Sequence, residues 1–589
     1  MMLLPMVASA DAVEIDGIYY NLIKGKIAEV TTNPDKYSGE VIIPSTVTYN
    51  EVEYSVKSIG VNAFRNSQIT VVEIPSSITS INSGAFAYCS YLVKVIVKDI
   101  DAWCRINFQE IESNPLNGNS GLGFLYSDYS TKIEHLVIPN SVSSIGDYAF
   151  VGCSSITSVE IEGDVTSIGD YAFGYCDNLT SVNLPNSVNH IGKNAFFCCY
   201  GLTSINIPYG ITEIEDGTFN GCTSLTTVNL PNSVTTIGSS GFRYCTALAS
   251  IIIPNSVTSI KSEAFWNCTE LTSITIPNGV TTIKRRTFAD CSKLKTAIVG
   301  NGVTKIEENA FYGCTNLSYV SIGSNISIIG TKAFKNCGEL SDVYCYAEDV
   351  PTTSSDAFDS SYPEYITLHV PESSIDAYKD ATPWSNFLDV VALSPSINVS
   401  VTSAKYATFC DAVSRDFSAS GITVYSARAN DNSVSFYEVT DGIVPPNTGV
   451  VLYSATEINN VAIPLTTASS THDYSSNEMI GVNVGTTVAL DGVGAKKNYI
   501  LANGGSGVGF YKAKAAGAKL AAHKAYLSTA TAAATAREFL GFDDSETTAL
   551  ESIIKTQKAD GQYYNLNGQR VAQPTKGLYI VNGKKVIIK

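Results

Sequence analysis

The sequence is poor in charge: 16 % of its 589 residues are Asp, Glu, Lys or Arg, and 38 basic against 55 acidic side chains leave a net charge of −17. That balance excludes a nucleic-acid partner, because phosphate contacts need a basic face. Histidine is scarce, with His135, His190, His369, His472 and His523 scattered at no metal-ligand spacing, so no metal is expected. The one glycine-rich run, Gly504 to Gly509, lacks the Lys-Ser or Lys-Thr of a phosphate loop and reads as a turn between strands. No stretch of about 20 apolar residues is present to form a membrane helix. Neither a cofactor nor catalysis is expected.

What is abundant is repetition. A small residue followed by Phe recurs at Phe150, Phe173, Phe196, Phe219, Phe242, Phe265, Phe288, Phe311 and Phe334, every 23 residues. Phe64 and Phe86 precede the regular array and Phe358 follows it, so the sequence predicts about twelve units. In one unit the apolar residues are Leu202, Ile205, Ile207, Ile211, Ile214, Phe219 and Cys222. The step of two at Ile205 and Ile207 is that of a β-strand, and the steps of three mostly found elsewhere are those of a tight coil. One coil cannot bury its own apolar row, so stability must come from stacking coil on coil. Pro185, Pro208, Pro231, Pro254 and Pro277 end the short strand for want of an N–H. The Asn-Ser or Asn-Gly that follows four of them supplies a turn.

Ten of the fourteen cysteines stand three residues after a repeat phenylalanine, from Cys89 to Cys337. A column of this kind fits small buried hydrophobes inside each turn better than metal ligands. Disulfides along it remain open, subject to their strict geometry.

The unit Leu179-Thr180-Ser181-Val182-Asn183-Leu184-Pro185-Asn186-Ser187-Val188, continuing through Ala195-Phe196 to Cys199, closely resembles the BspA-like leucine-rich repeats of bacterial surface proteins. The likeness extends over about Ser55 to Leu393. Tyr19 to Leu22 with Tyr37 to Pro44 resembles that family's N-terminal cap, and Thr367 to Pro371 with Pro383-Trp384 its C-terminal cap. The resemblance implies an adhesin that binds host matrix or plasma proteins or partner bacteria. A structural spacer and a glycan-capturing module remain the alternatives.

The expected architecture is mainly β: a leucine-rich-repeat solenoid, a β-sandwich-like domain and a small C-terminal β domain. Residues 1–10 end in a small-x-small pattern that fits the remnant of an export signal. Residues 11–54 form the N-terminal cap and 55–393 the solenoid, in which 99–132 replaces a regular coil by a longer loop expected to bulge from one face, either a binding loop or a degenerate repeat. Residues 397–542 carry short strand-like runs, although Ala513 to Arg537 is alanine-rich and helical by propensity. After an acidic linker, 543–558, the segment 559–589 with Tyr564-Asn565-Leu566-Asn567-Gly568 and the ending Lys584 to Lys589 resembles the C-terminal sorting signal of type IX secretion. That resemblance implies attachment at the outer membrane of a Gram-negative cell.

Strand residues flanking the inward pair point outward. The outward columns run from Ser158 through Thr296 to Asp342 and from Glu160 through Ile252 and Ile298 to Tyr344. From them the candidate binding face is Ser181, Asn183, Ser204, Asn206, Thr227, Asn229, Thr275, Tyr319, Ser321 and Tyr344, rich in hydroxyl and amide groups with aromatic rings toward one end. Such a surface offers hydrogen bonds to a protein or a glycan; Thr and Tyr are also simply good strand formers.

Overall fold

A computed structural model describes residues 12–117, 123–393, 396–411, 414–429, 433–445 and 448–464, and shorter stretches, mostly strands, between 466 and 588. The export-signal remnant and the 543–558 linker lie outside the described residues. Two compact units divide the chain, 1–393 and 394–589.

The first unit is a right-through stack of β-coils, about fourteen turns in all. Nearly every coil gives one strand to a long parallel face, as in Ser204–Asn206 pairing with Thr227–Asn229, and a two-residue strand to a second face, as in Glu213–Ile214 pairing with Thr236–Ile237. The proline turn between them closes by a backbone bond from Val234 N–H to the Pro231 carbonyl, repeated at Val188, Val257 and Val280. The inner row is sealed: Leu202, Ile205, Ile211, Ile214, Phe219 and Cys222 are each at most 3 % exposed. From Phe150 to Phe358 successive repeat phenylalanines stack with centroids 5.1–5.6 Å apart and planes within 3–14°. That spacing is near the rung separation of a sheet, so each ring rests on the next and adds about 0.5–1.5 kcal/mol to its burial.

A count on phenylalanine falls short of fourteen because the terminal coils use other aromatics. Tyr37 continues the column below Phe64 at 4.7 Å, and Trp384 continues it above Phe358 at 5.5 Å. The N-terminal end is closed by strands Val13–Ile15, Ile18–Ile23 and Ile27–Val30, the first two pairs antiparallel. At the other end Tyr378, on the helix Ile375–Asp380, donates its hydroxyl to the Ala347 carbonyl.

Of the two readings of 99–132, its described part follows the second, a degenerate coil within the stack. Phe124–Tyr126 pairs in parallel with Lys94–Val97, and Asn107–Phe108 with Ser80–Ile81. A five-residue helix, Ile100–Cys104, turns Trp103 inward, where its indole N–H donates to the Ala149 carbonyl at 2.8 Å. Asp99 caps that helix by accepting the Ala102 N–H. Trp103 is buried and meets Phe108 edge-on at 5.2 Å, so the coil keeps an aromatic core although the 23-residue period is lost.

In the second unit nine strands form one sheet in the order 406–409, 450–453, 423–429, 433–438, 539–542, 507–512, 497–504, 524–529 and 479–482. Alternate residues of Thr423–Ala429 serve two separate cores: Tyr425 and Ala427 pack with Phe436 and Leu527, while Val424 packs with Phe409, Phe417 and Leu452. Burial on both faces is the signature of a layered β-fold. The described part of the alanine-rich segment is strand, Ala518–Leu520 and Lys524–Thr529, so tertiary pairing overrides helix propensity there. The glycine-rich run lies on a hairpin: Gly504 pairs with Gly507. Beyond residue 562, strands Tyr563–Tyr564, Arg570–Val571, Gly577–Val581 and Lys584–Ile588 form an antiparallel sheet.

Candidate functional site

The corner of each coil is built by hydrogen bonds at alternate residues. Tyr148, Phe150 and Gly152 donate their N–H groups to the carbonyls of Asp170, Ala172 and Gly174 in the next coil, and Tyr171, Phe173 and Tyr175 repeat the pattern. To aim alternate N–H groups the same way, the residues two before and two after each repeat phenylalanine from Phe64 to Phe334 take left-handed backbone. Glycine or asparagine fills many of these places, as at Gly217, Gly221, Asn309 and Gly313, where the conformation carries little strain.

Inside the corner the cysteines have a polar task that their spacing did not disclose. Each thiol from Cys176 to Cys337 donates to the carbonyl of the phenylalanine one coil back, at 3.1–3.3 Å. That carbonyl already accepts the N–H three residues on, so the thiol takes its second lone pair. At the end of the column Ser361 takes the same role toward the Phe334 carbonyl at 2.5 Å. All fourteen cysteines are free, thirteen of them buried and Cys198 half-buried. Burial pushes the column thiols up, Cys291 and Cys337 to about 12. Thiols held neutral and out of water are poor nucleophiles.

The expected binding face divides by position. Ser181, Asn183, Ser204, Asn206, Thr227 and Thr275 are exposed, while Asn229, Tyr319 and Tyr344 are half-buried. These lie on three successive ladders of the long face, broken between Ser181–Asn183 and Ser204–Asn206 and again where Ser250 to Ile253 forms no strand. Three outward assignments need correction. Ser321 is 1 % exposed, and Thr296 and Ile298 are 9 % and 5 % exposed. In register, Ser321 lies between Ile298 and Tyr344 with Tyr319 two residues before it, and the Tyr319 and Tyr344 rings meet diagonally at 5.1 Å. A small side chain among three large ones loses its solvent.

The same register brings in a residue that the expected face omits. His369, in the C-terminal cap, stacks on Tyr344 with centroids 4.0 Å apart and planes within 3°, and its Nε2 lies 3.2 Å from Asp342 Oδ1. Its signal in the sequence was its place 25 residues after Tyr344, one cap coil further on.

Hydrogen-bond use separates the columns further. The threonines one residue before the strand are self-satisfied: Thr157, Thr180, Thr203 and Thr226 each donate to the carbonyl of the equivalent residue one coil back. In contrast, Ser181, Asn183, Ser204, Asn206, Thr227 and Thr275 make no side-chain hydrogen bond to any described residue. Their polar capacity faces water and is open to a ligand.

Six copies of one family model, described as the BspA type leucine rich repeat region, match residues 44–117, 125–249 and 235–364, over half the chain. The chain belongs to the BspA type leucine-rich-repeat family. Among solved structures, this BspA-type chain is similar to a leucine-rich repeat protein from Bacteroides ovatus, with 26 % identity and a TM-score of 0.45 over 64 % of this chain and 99 % of that one. A leucine rich cell surface protein from Faecalibacterium prausnitzii is 24 % identical, with a TM-score of 0.34 over 56 % of this chain and 94 % of that one. The pneumococcal vaccine antigen PcpA is 18 % identical, with a TM-score of 0.42 over 65 % and 98 %. No curated protein matches the chain.

Two further observations bear on chemistry. Among the described residues no group of three or more His, Cys, Asp and Glu could hold a metal, and no helix is long and apolar enough to cross a membrane. In the second unit Ser426 Oγ lies 2.9 Å from His472 Nε2, the contact expected of a nucleophile and its base. Ser426 is 2 % exposed, so a substrate has no access to that hydroxyl.

Proposed function

We propose that this BspA-type protein is an exported surface adhesin that captures a protein of a host matrix, host plasma or neighbouring bacterium on the long face of its solenoid. The single observation that carries the reading is the unspent polar face from Ser181 to Thr275, continued by the half-buried Tyr319, Tyr344 and His369. Leucine-rich repeats of this type are in general protein-binding surfaces. Extended faces made by stacked coils suit a large partner, and they offer no dry cleft for chemistry. Half-buried tyrosines locked against neighbours resemble the rigid aromatic anchors of protein interfaces, which order little on binding.

In this reading 559–589 is the address that exports the chain and holds it at the outer membrane. The test is capture by the immobilised full chain from a panel of purified matrix and plasma proteins, in parallel with a glycan array. The expected result is selective protein capture that weakens at least about tenfold in a Tyr319→Ala/Tyr344→Ala variant of unchanged melting temperature. Equal affinity of both proteins would reject the face; sugar hits without protein capture would reject the partner class.

A further inference from the structure

The turn corner carries a second surface, on the outside of the phenylalanine column. In three consecutive coils its left-handed positions include Tyr148 at φ 60°, Tyr171 at 53°, Tyr175 at 59° and Cys198 at 56°; elsewhere the same positions hold glycine, asparagine or other residues such as Tyr88, Tyr244, Glu263 and Arg286. The rings form a ridge along the solenoid axis. Tyr148 stacks on Tyr171 at 5.7 Å, Tyr171 meets Phe197 at 6.0 Å, and Tyr175 stands across Phe197 at 5.1 Å and 71°. Tyr175 and Tyr200 are 37 % and 44 % exposed.

Charge and spacing narrow the ligand. Asp147, Asp170 and Glu110 surround Tyr148, and Asp177 lies near Tyr200. Tyr148 and Tyr171 turn their faces toward each other, within 14°, which removes the flat surface a sugar ring would cover and leaves ring edges and the grooves between them. Tyr148 and Phe197 are two coils apart, about 9.6 Å along the axis at sheet spacing. One turn of a polyproline II helix is about 9.3 Å, so prolines three residues apart would meet alternate coils. Aromatic grooves beside acidic groups suit proline-rich segments with basic residues.

We propose that the ridge of Tyr148, Tyr171, Tyr175, Phe197 and Tyr200 is a docking site for a basic, proline-rich segment in polyproline II conformation. The inference rests on the reading of the chain as a protein-binding solenoid, but on a different surface from the strand face.

Cys198, the one half-exposed thiol, sits within this ridge and reports on it. The experiment uses the full chain and three probes: an N-acetylated, C-amidated (Pro-Pro-Arg)4 peptide, a (Gly-Ser-Arg)4 peptide of equal charge, and a β-1,4-linked glucan hexasaccharide. Calorimetry gives affinities, and the rate of Cys198 alkylation by N-ethylmaleimide gives the location. The proline peptide is expected to bind at least about tenfold more tightly than the Gly-Ser peptide and to slow alkylation at least about fivefold. A Tyr171→Gly/Tyr175→Gly variant places glycine where other coils already hold it, so it should melt as the parent does and lose at least about tenfold in affinity. The Tyr319→Ala/Tyr344→Ala variant should bind the peptide as the parent does. Equal binding of the two peptides, alkylation slowed by the hexasaccharide alone, or full affinity in the ridge variant would each overturn the proposal. Loss of protein capture with peptide binding intact would instead count against the strand face only.

Discussion

The inside and the outside of one corner are made by the same few residues and obey different rules. Between Tyr171 and Cys176 the inward side chains, Phe173 and Cys176, recur in every regular coil, because each touches its own copy above and below. A change there is felt by two neighbours. The outward side chains, Tyr171 and Tyr175, have counterparts as different as Gly217, Asn194, Ser240, Tyr244, Glu263, Arg286, Asp290 and Lys332. Only the backbone conformation is held constant. Stacking therefore dictates identity on the inside and shape alone on the outside, and the outside is where coils can differ for the sake of a ligand.

The largest break in this contrast should come from the column. Phe219→Ala removes a fully buried ring from between Phe196 and Phe242, and should destabilise the solenoid by about 3–5 kcal/mol. Chemical denaturation followed by circular dichroism measures it; a loss under about 1 kcal/mol would mean the rings do not support one another. A smaller effect is expected at the thiol. Cys222→Ala gives up the bond to the Phe196 carbonyl and a little volume, about 1 kcal/mol. Cys222→Ser should be milder if the hydroxyl reproduces what Ser361 does natively, so Ser falling well below Ala in the same assay would refute the donor role. The smallest effect is on the outside. Tyr171→Gly trades relief of left-handed strain against greater freedom of the unfolded chain, and its melting curve should stay within about 1 kcal/mol of the parent.

Much of this was legible because one period governed it. The 23-residue step marked the phenylalanine and cysteine columns, the proline turns and the inward isoleucines. The period could not show coils that fill the same space with another residue, which is how Tyr37 and Trp384 hid the full number of turns. It could not show the task of the cysteines either, since a thiol that packs and a thiol that donates have the same spacing. On the candidate face, strand alternation correctly pointed Ser181, Asn183, Ser204 and Asn206 outward. It failed at Ser321 because exposure there depends on side chains of the two neighbouring strands and of a residue two places earlier, and it missed His369 because the cap breaks the period.

By itself, the sequence determined that coils form and stack: inward residues at repeating intervals admit one arrangement that removes them all from water. Which outward groups stay free, which are used up in bonds between coils, and which rings meet to form a ridge was decided only in the tertiary structure. Those properties belong to pairs of residues 23 or more apart, and arise only when one coil is laid upon another.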